Sequence, residues 1–188
     1  MRRILVAVSL IGILVGAAFW LLWDEKADAS LPPLKNPRLV VKKNKRRLQV
    51  FDNDKLVKTY KIVLGFEPKG DKIKRDDGKT PEGEYFVAVK NPDSKFHRSL
   101  GLNYPNIKDA KRGLQMNLIS QSEYDEIILA NQEKRLPPQN TALGSEIYIH
   151  GGGINRDWTA GCIALDDDQM QELFDALPAA NVSVTIEP

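Results

Sequence analysis

Hydrophobic and polar positions divide the chain into two unlike parts. After Met1-Arg2-Arg3, residues Ile4 to Trp23 form twenty consecutive uncharged positions. As a helix that run would be ~30 Å long, enough to cross a bilayer core. Arg2 and Arg3 belong on the cytoplasmic side as a short stub (residues 1–3), and Trp20 and Trp23 suit the far interface. The pattern predicts a transmembrane anchor over residues 4–23, with everything after it outside the cytoplasm. A cleaved secretory signal is the competing reading, because Ala27-Asp28-Ala29 has the small-x-small form that signal peptidase reads. Residues 24–37, rich in proline and small side chains, read as a linker.

Beyond the linker the period is mostly two. "RLVVKK" is one strand run. Residues 46–65 read as a hairpin in which Leu48, Val50 and Leu56 flank a turn at Asp52-Asn53-Asp54. "EGEYFVAVKN" alternates Tyr85, Val87 and Val89, and "SEIYIH" and "NVSVTIE" add two more strands. Helical spacing occurs twice. Residues 120–134 open on the capping box Ser120-x-x-Glu123 and continue with Tyr124, Ile127 and Ile128. Residues 166–178 open on three aspartates, carry Met170, Leu173, Phe174 and Leu177 on one face, and stop at Pro178. Many short strands with two segregated helices predict a mainly β domain with flanking helices, a sandwich or an open barrel, over residues 38–187.

Composition narrows the partners. The formal net charge is +2 with 28% charged residues, too balanced for a nucleic-acid surface. The basic run Lys42 to Arg47 reads as a solvated turn between strands.

The candidate chemistry lies in "YIHGGGINRDWTAGCIALDDDQM". The chain has one cysteine and two histidines, and this stretch holds Cys162 and His150. A lone cysteine in an exported protein is either a buried small hydrophobe or a thiol kept for chemistry. A thiolate is a competent nucleophile, an imidazole within reach can take its proton, and the amides of Gly161 and Cys162 can bind a developing oxyanion. Such a pair predicts a thiol pKa depressed by the imidazole. An inert core cysteine with a structural histidine stays open as the bland reading. Other chemistries lack parts. An esterase-type "HGGG" needs a downstream G-x-S-x-G, and only Ser183 follows. Zinc would have to recruit His97 or carboxylates. No Lys-Ser/Thr follows these glycines to make them a phosphate cradle.

The order His150-Gly151, then Thr159-Ala160-Gly161-Cys162-Ile163, resembles the L,D-transpeptidase catalytic domain of the YkuD type. The entry hairpin, the Lys79-Thr-Pro-Glu-Gly83 loop and the segment His97 to Asn106 extend the likeness to a divergent branch of that family, over residues 38–187. The resemblance implies a mostly β fold with the cysteine on a loop at the end of a groove. It implies a cofactor-free enzyme whose partners are peptidoglycan stem peptides. Cys162 would attack the diaminopimelate carbonyl of a stem tetrapeptide, release D-alanine, and pass the acyl group to an amine. By position, His150 is the base; Gly161, Cys162 and Ala160 supply oxyanion amides; Thr159 is the family's hydroxyl position, and Gly151 supports the turn. Ala160 replaces the His or Arg of many members, and Ala164 replaces an Arg. Arg156 or Arg112 are candidates for the missing charge, and His97 is expected to be structural. A hydrolytic carboxypeptidase or amidase using the same pair, and a wall-binding module with a vestigial pair, remain alternatives at this stage.

Overall fold

The computed structural model describes residues 30–178 and 181–188. The expected anchor over residues 4–23 and residues 24–29 of the linker lie outside the described residues. Among the described residues, no helix is long and apolar enough to cross a membrane.

Strands β1 (Pro37–Lys42), β2 (Arg47–Asp52), β3 (Lys55–Lys61), β4 (Gly83–Ser94), β5 (His97–Leu102), β6 (Tyr148–His150), β7 (Ile163–Ala164) and β8 (Ser183–Glu187) form one eight-stranded sheet in the order β3-β2-β1-β8-β4-β5-β6-β7. The sheet is continuous, so the open-barrel expectation fits it better than two stacked layers. Pairing is antiparallel except at β1–β8 and β6–β7. Twelve-residue β4 joins the halves: Gly83 to Phe86 pair with β8, and the remainder pairs with β5.

Sequence and position agree strand by strand. β1 buries Leu39, Val40 and Val41 in succession because it lies inside the sheet with both faces covered. β2 buries only Leu48 and Val50, the alternation of a half-covered strand. Asn53 and Asp54 both take positive φ, as a two-residue hairpin turn demands. Leu56, expected beside the core, is 46% exposed because β3 is an edge strand.

Helices α1 (Ile107–Gln115), α2 (Gln121–Gln132) and α3 (Asp167–Ala176) flank the sheet. The Ser120/Glu123 capping box opens α2 as expected. α3 presents Met170, Leu173 and Phe174 to the main core. α1 and β5 were not expected. In α1, Asn106 and Asp109 form the capping box, but Ala110 is its one fully buried apolar side chain, Leu114 is partly buried and Ile107 is exposed. β5 buries Ser99, Leu100, Gly101 and Leu102 in a row, so small and polar residues erase its period. β6 begins at Tyr148 rather than at residue 145, because Glu146 adopts positive φ and breaks the extension.

The basic run also departs from expectation. It does turn the chain, through a 3-10 segment Lys43–Lys45 and left-handed Arg46. Lys43, however, is only 2% exposed, and its Nζ donates to Gly70 O (2.6 Å), Thr80 O (2.8 Å) and Glu82 Oε1 (2.8 Å). A buried ammonium survives because every proton it carries meets an acceptor. Lys43 thus pins the Lys79–Gly83 loop, while Asn44, Lys45 and Arg47 of the run face water as expected.

The two edges of the sheet meet behind the cysteine. Beyond β3, Val63 exchanges both backbone hydrogen bonds with Ala164 of β7 (3.0 and 2.9 Å). The next residues extend this seam: Thr159 N donates to Leu64 O (3.3 Å) and Phe66 N to Thr159 O (2.9 Å). Closure therefore fixes the loop that carries Cys162.

Candidate active site

β6 ends at His150, and β7 begins one residue after Cys162. Their parallel pairing sets Ile149 against Ile163 and His150 against Ala164. The topology thus brings the chain's cysteine and this histidine to one end of the sheet, where both line a cavity of about 730 Å³.

The cysteine loop is shaped by contacts that only certain residues allow. Gly161 has φ +143°, and a Cβ there would stand 2.8 Å from Lys79 O and 3.0 Å from Ile147 Cδ1. Both facts require glycine. Thr159 Oγ1 donates to Cys162 O (2.7 Å) and accepts from Gly161 N (3.2 Å), locking the tight turn. Thr80 Oγ1 accepts from Gly65 N (3.1 Å), so the Lys-Thr-Pro loop braces the seam from the other side. The Gly161 amide is thereby bound to a hydroxyl. It is one of the three amides, with those of Cys162 and Ala160, that the resemblance names for the oxyanion.

His150 is 3% exposed. Its Nδ1 lies 2.5 Å from Gly151 O, a contact that assigns the ring proton to Nδ1 and leaves Nε2 as the unprotonated nitrogen. Burial lowers the imidazole's pKa from its ordinary value, with the Gly151 carbonyl opposing that effect. The ring is therefore neutral at physiological pH and equipped to accept a proton at Nε2. Phe96, at the tip of the β4–β5 hairpin, stacks on it at 4.8 Å and 25°, and Trp158 meets it edge-on at 5.6 Å.

The thiol is disposed differently from the sequence expectation. Cys162 Sγ donates to Glu146 O (3.1 Å) and accepts from Tyr148 N (3.4 Å). Burial pushes its pKa up to about 11; the Tyr148 amide lowers it, the Glu146 charge raises it and Lys72 lowers it. The expected depression by the imidazole is not found, because the sulfur is desolvated and bonded to backbone. The structure presents a neutral thiol and a neutral imidazole on the lining of one cavity, with the thiol turned to Glu146 and Tyr148.

The remaining candidates sort by position. Thr159 and Ala160 line the cavity. Gly151 donates its amide to Phe96 O (3.1 Å) and Arg98 O (3.3 Å) and gives its carbonyl to His150. Arg112 does not line the cavity. Its guanidinium is held by Asp71 (2.5 Å) and Asp109 (3.1 Å), so it braces α1 against the 71–82 segment and is not available to a substrate. Arg156 is exposed and also outside the lining. His97, exposed, takes φ +70° at the hairpin turn and does not line the cavity. The cations that do line the cavity are Lys72, Arg75 and Lys95. Lys72 is paired with Asp77 (2.8 Å), whereas exposed Arg75 gives one guanidinium nitrogen to Thr141 O (2.8 Å). Arg75 and Phe96 went unremarked in the sequence, since neither stands near the cysteine motif nor belongs to any pattern there.

Comparison with known proteins agrees with this geometry. Among proteins with curated descriptions, none matches the chain. The helical cell shape determining protein Pgp2 from Campylobacter jejuni shares the fold, at TM-score 0.53 and 24% identity, over 90% of this chain and 54% of that one. So does Bdellovibrio bacteriovorus Bd1075, at TM-score 0.52 and 22% identity, over 84% and 52%. The chain spans about half the length of these structures. The family model described as the L,D-transpeptidase catalytic domain, YkuD, matches residues 36–186. That span takes in the sheet, its closing seam, the cysteine loop and the imidazole together, and by it the chain belongs to the YkuD family of L,D-transpeptidase catalytic domains.

Proposed function

We propose that this domain is a cysteine acyltransferase that cross-links peptidoglycan. The observation that carries the reading is that Cys162 and a neutral His150 with Nδ1 already committed open onto the same cavity. Because the resting thiol is protonated, attack and deprotonation are concerted: Nε2 of His150 removes the proton as sulfur bonds to the diaminopimelate carbonyl of a stem tetrapeptide. This requires the thiol to exchange its Glu146 contact for His150 when substrate enters. The amide bond to D-alanine then breaks, and the departing amine takes the proton from the imidazolium. An acceptor amine attacks the thioester, gives its proton to His150, and releases the thiol. Outside the cytoplasm, where no nucleotide drives amide formation, the thioester conserves the energy of the broken bond. On this reading residues 4–23 hold the domain on the outer face of the membrane, beside the wall. Arg75, the exposed guanidinium on the cavity wall, is the group suited to a substrate carboxylate.

The test is mass spectrometry of muropeptides incubated with the purified protein. Wild type should convert tetrapeptide stems to cross-linked products with loss of D-alanine, and Cys162→Ala should leave them intact. Conversion by Cys162→Ala would overturn the proposal. Release of free tripeptide stems alone, with an amine acceptor present, would reassign the activity to hydrolysis.

A further inference from the structure

Behind the His150–carbonyl contact stands a residue that the sequence pattern assigned only to a helix start. The peptide between Gly151 and Gly152 has two ends. Its carbonyl accepts the Nδ1 proton of His150 (2.5 Å), and its N–H donates to Asp167 Oδ1 (2.7 Å). Asp167 is the first residue of α3. Carboxylate, peptide group and imidazole therefore form one line of hydrogen bonds, each oriented by the next. Hydrogen bonds in series polarise one another, and a bond to a carboxylate is the stronger kind. The approach is close enough to dictate residue type, since a Cβ on Gly151 would stand 2.4 Å from Asp167 Oδ1 and 2.9 Å from Phe96 O. The Gly-Gly pair after the histidine thus admits a carboxylate from one side and the hairpin tip from the other.

We propose that Asp167 is a positioning residue of the active site, acting through the Gly151–Gly152 peptide to fix the tautomer and direction of the His150 ring. It touches neither the reacting sulfur nor the cavity. Its part is to hold the peptide plane so that the carbonyl faces Nδ1, which leaves Nε2 the proton-accepting nitrogen. The inference rests on the proposed role of His150 as base, but its test separates the two.

The alternative is that Asp167 serves only its helix, because an acidic residue in the first turn favours the helix dipole. Asp168 occupies the same turn and provides the control. The experiment uses the full-length chain in detergent with His97→Gln as background, so that His150 gives the only imidazole signals. Two readouts are taken: the ¹⁵N resonances of the ring, and the rate at which a carbapenem acylates Cys162, followed by intact mass. Asp167→Ala should mix the two ring tautomers and slow acylation by about ten- to a hundredfold, the scale of a misplaced catalytic group. Asp167→Asn, whose amide oxygen can still accept from Gly152 N, should restore most of the rate and the Nδ1–H signature. Asp168→Ala should leave both readouts unchanged. Equal rates and spectra for Asp167→Ala and wild type would overturn the proposal, as would slowing without any tautomer change, or equal slowing by Asp168→Ala. Acylation of a Cys162→Ala protein would instead strike the proposed function and leave the tautomer result standing.

Discussion

The sharpest consequence of the site concerns the resting thiol. Burial sets Cys162 at a pKa of about 11. At pH 8 such a thiol is about 0.1% ionised, whereas an ordinary cysteine near 8.5 is roughly one quarter ionised, about two hundredfold more. A more basic thiolate is also a better nucleophile, by roughly tenfold over this interval. Depletion wins, and alkylation at pH 8 should run about twentyfold slower than for an unperturbed thiol. The assay is iodoacetamide alkylation followed by intact mass from pH 6 to 10.5. The logarithm of the rate should climb with a slope near one, without a plateau, until the fold begins to fail. His150 is absent from the influences on the sulfur, which are burial, the Tyr148 amide, Glu146 and Lys72. His150→Ala should therefore leave the alkylation profile unchanged while abolishing acylation by a carbapenem. Glu146→Gln should shift the profile toward lower pH by removing the charge that raises the pKa. A plateau below pH 8 that disappears in His150→Ala would refute this reasoning, because it would show a resting thiolate–imidazolium pair.

Three other expectations follow from contacts around the seam and the cavity. Asp157 accepts two contacts from Arg46 Nε (3.0 and 3.2 Å), one from its Nη2 (2.7 Å), and the Leu64 amide at 2.9 Å. Asp157→Ala should lower the unfolding free energy by about 2 kcal/mol, seen as a lower urea midpoint with an unchanged slope; no change would mean the pair is ornamental. Burial pushes the Asp71 and Asp77 carboxyls upward, but bonds from Lys108, the Glu82 amide and Arg112 in one case, and from Lys72 and backbone amides in the other, hold both below the usual range. Their stabilisation is complete above the unfolded carboxylate value, about pH 4, and is lost as pH falls through the lower folded values; an acid melt should be shallower for Asp77→Asn, and an identical melt would contradict the sign. Arg75→Ala should raise KM for a stem tetrapeptide by about tenfold with little effect on melting temperature, because a bidentate carboxylate partner is lost at an exposed site; an unchanged KM would remove Arg75 from the substrate path.

What could be read in the chain divides along physical lines. Strands and helices with one covered face, such as β2 and α3, announce themselves by period, and the Ser120/Glu123 box marks α2 to the residue. β5 and α1 lack that signal. One is buried along most of its length with serine and glycine inside it, and the other shows only Ala110 and a partly buried Leu114 to the second core. Cys162 and His150 were legible because they are rare and flanked by residues with restricted geometry. Their electrostatics were not, because a pKa belongs to an enclosure and a motif contains none. The enclosure is made when Val63 meets Ala164 and when Lys43, far from either, anchors the Lys-Thr-Pro loop. The same closure that carries the cysteine loop to the cavity also half-buries the cysteine and ties its sulfur to backbone. A low-pKa thiolate and a partly buried sulfur bonded to backbone pull in opposite directions here, and the thiol's pKa rises. On the proposed mechanism activation comes from the base at the moment of attack, and the contacts that hold the His150 ring, from Gly151 to Phe96, fit that demand.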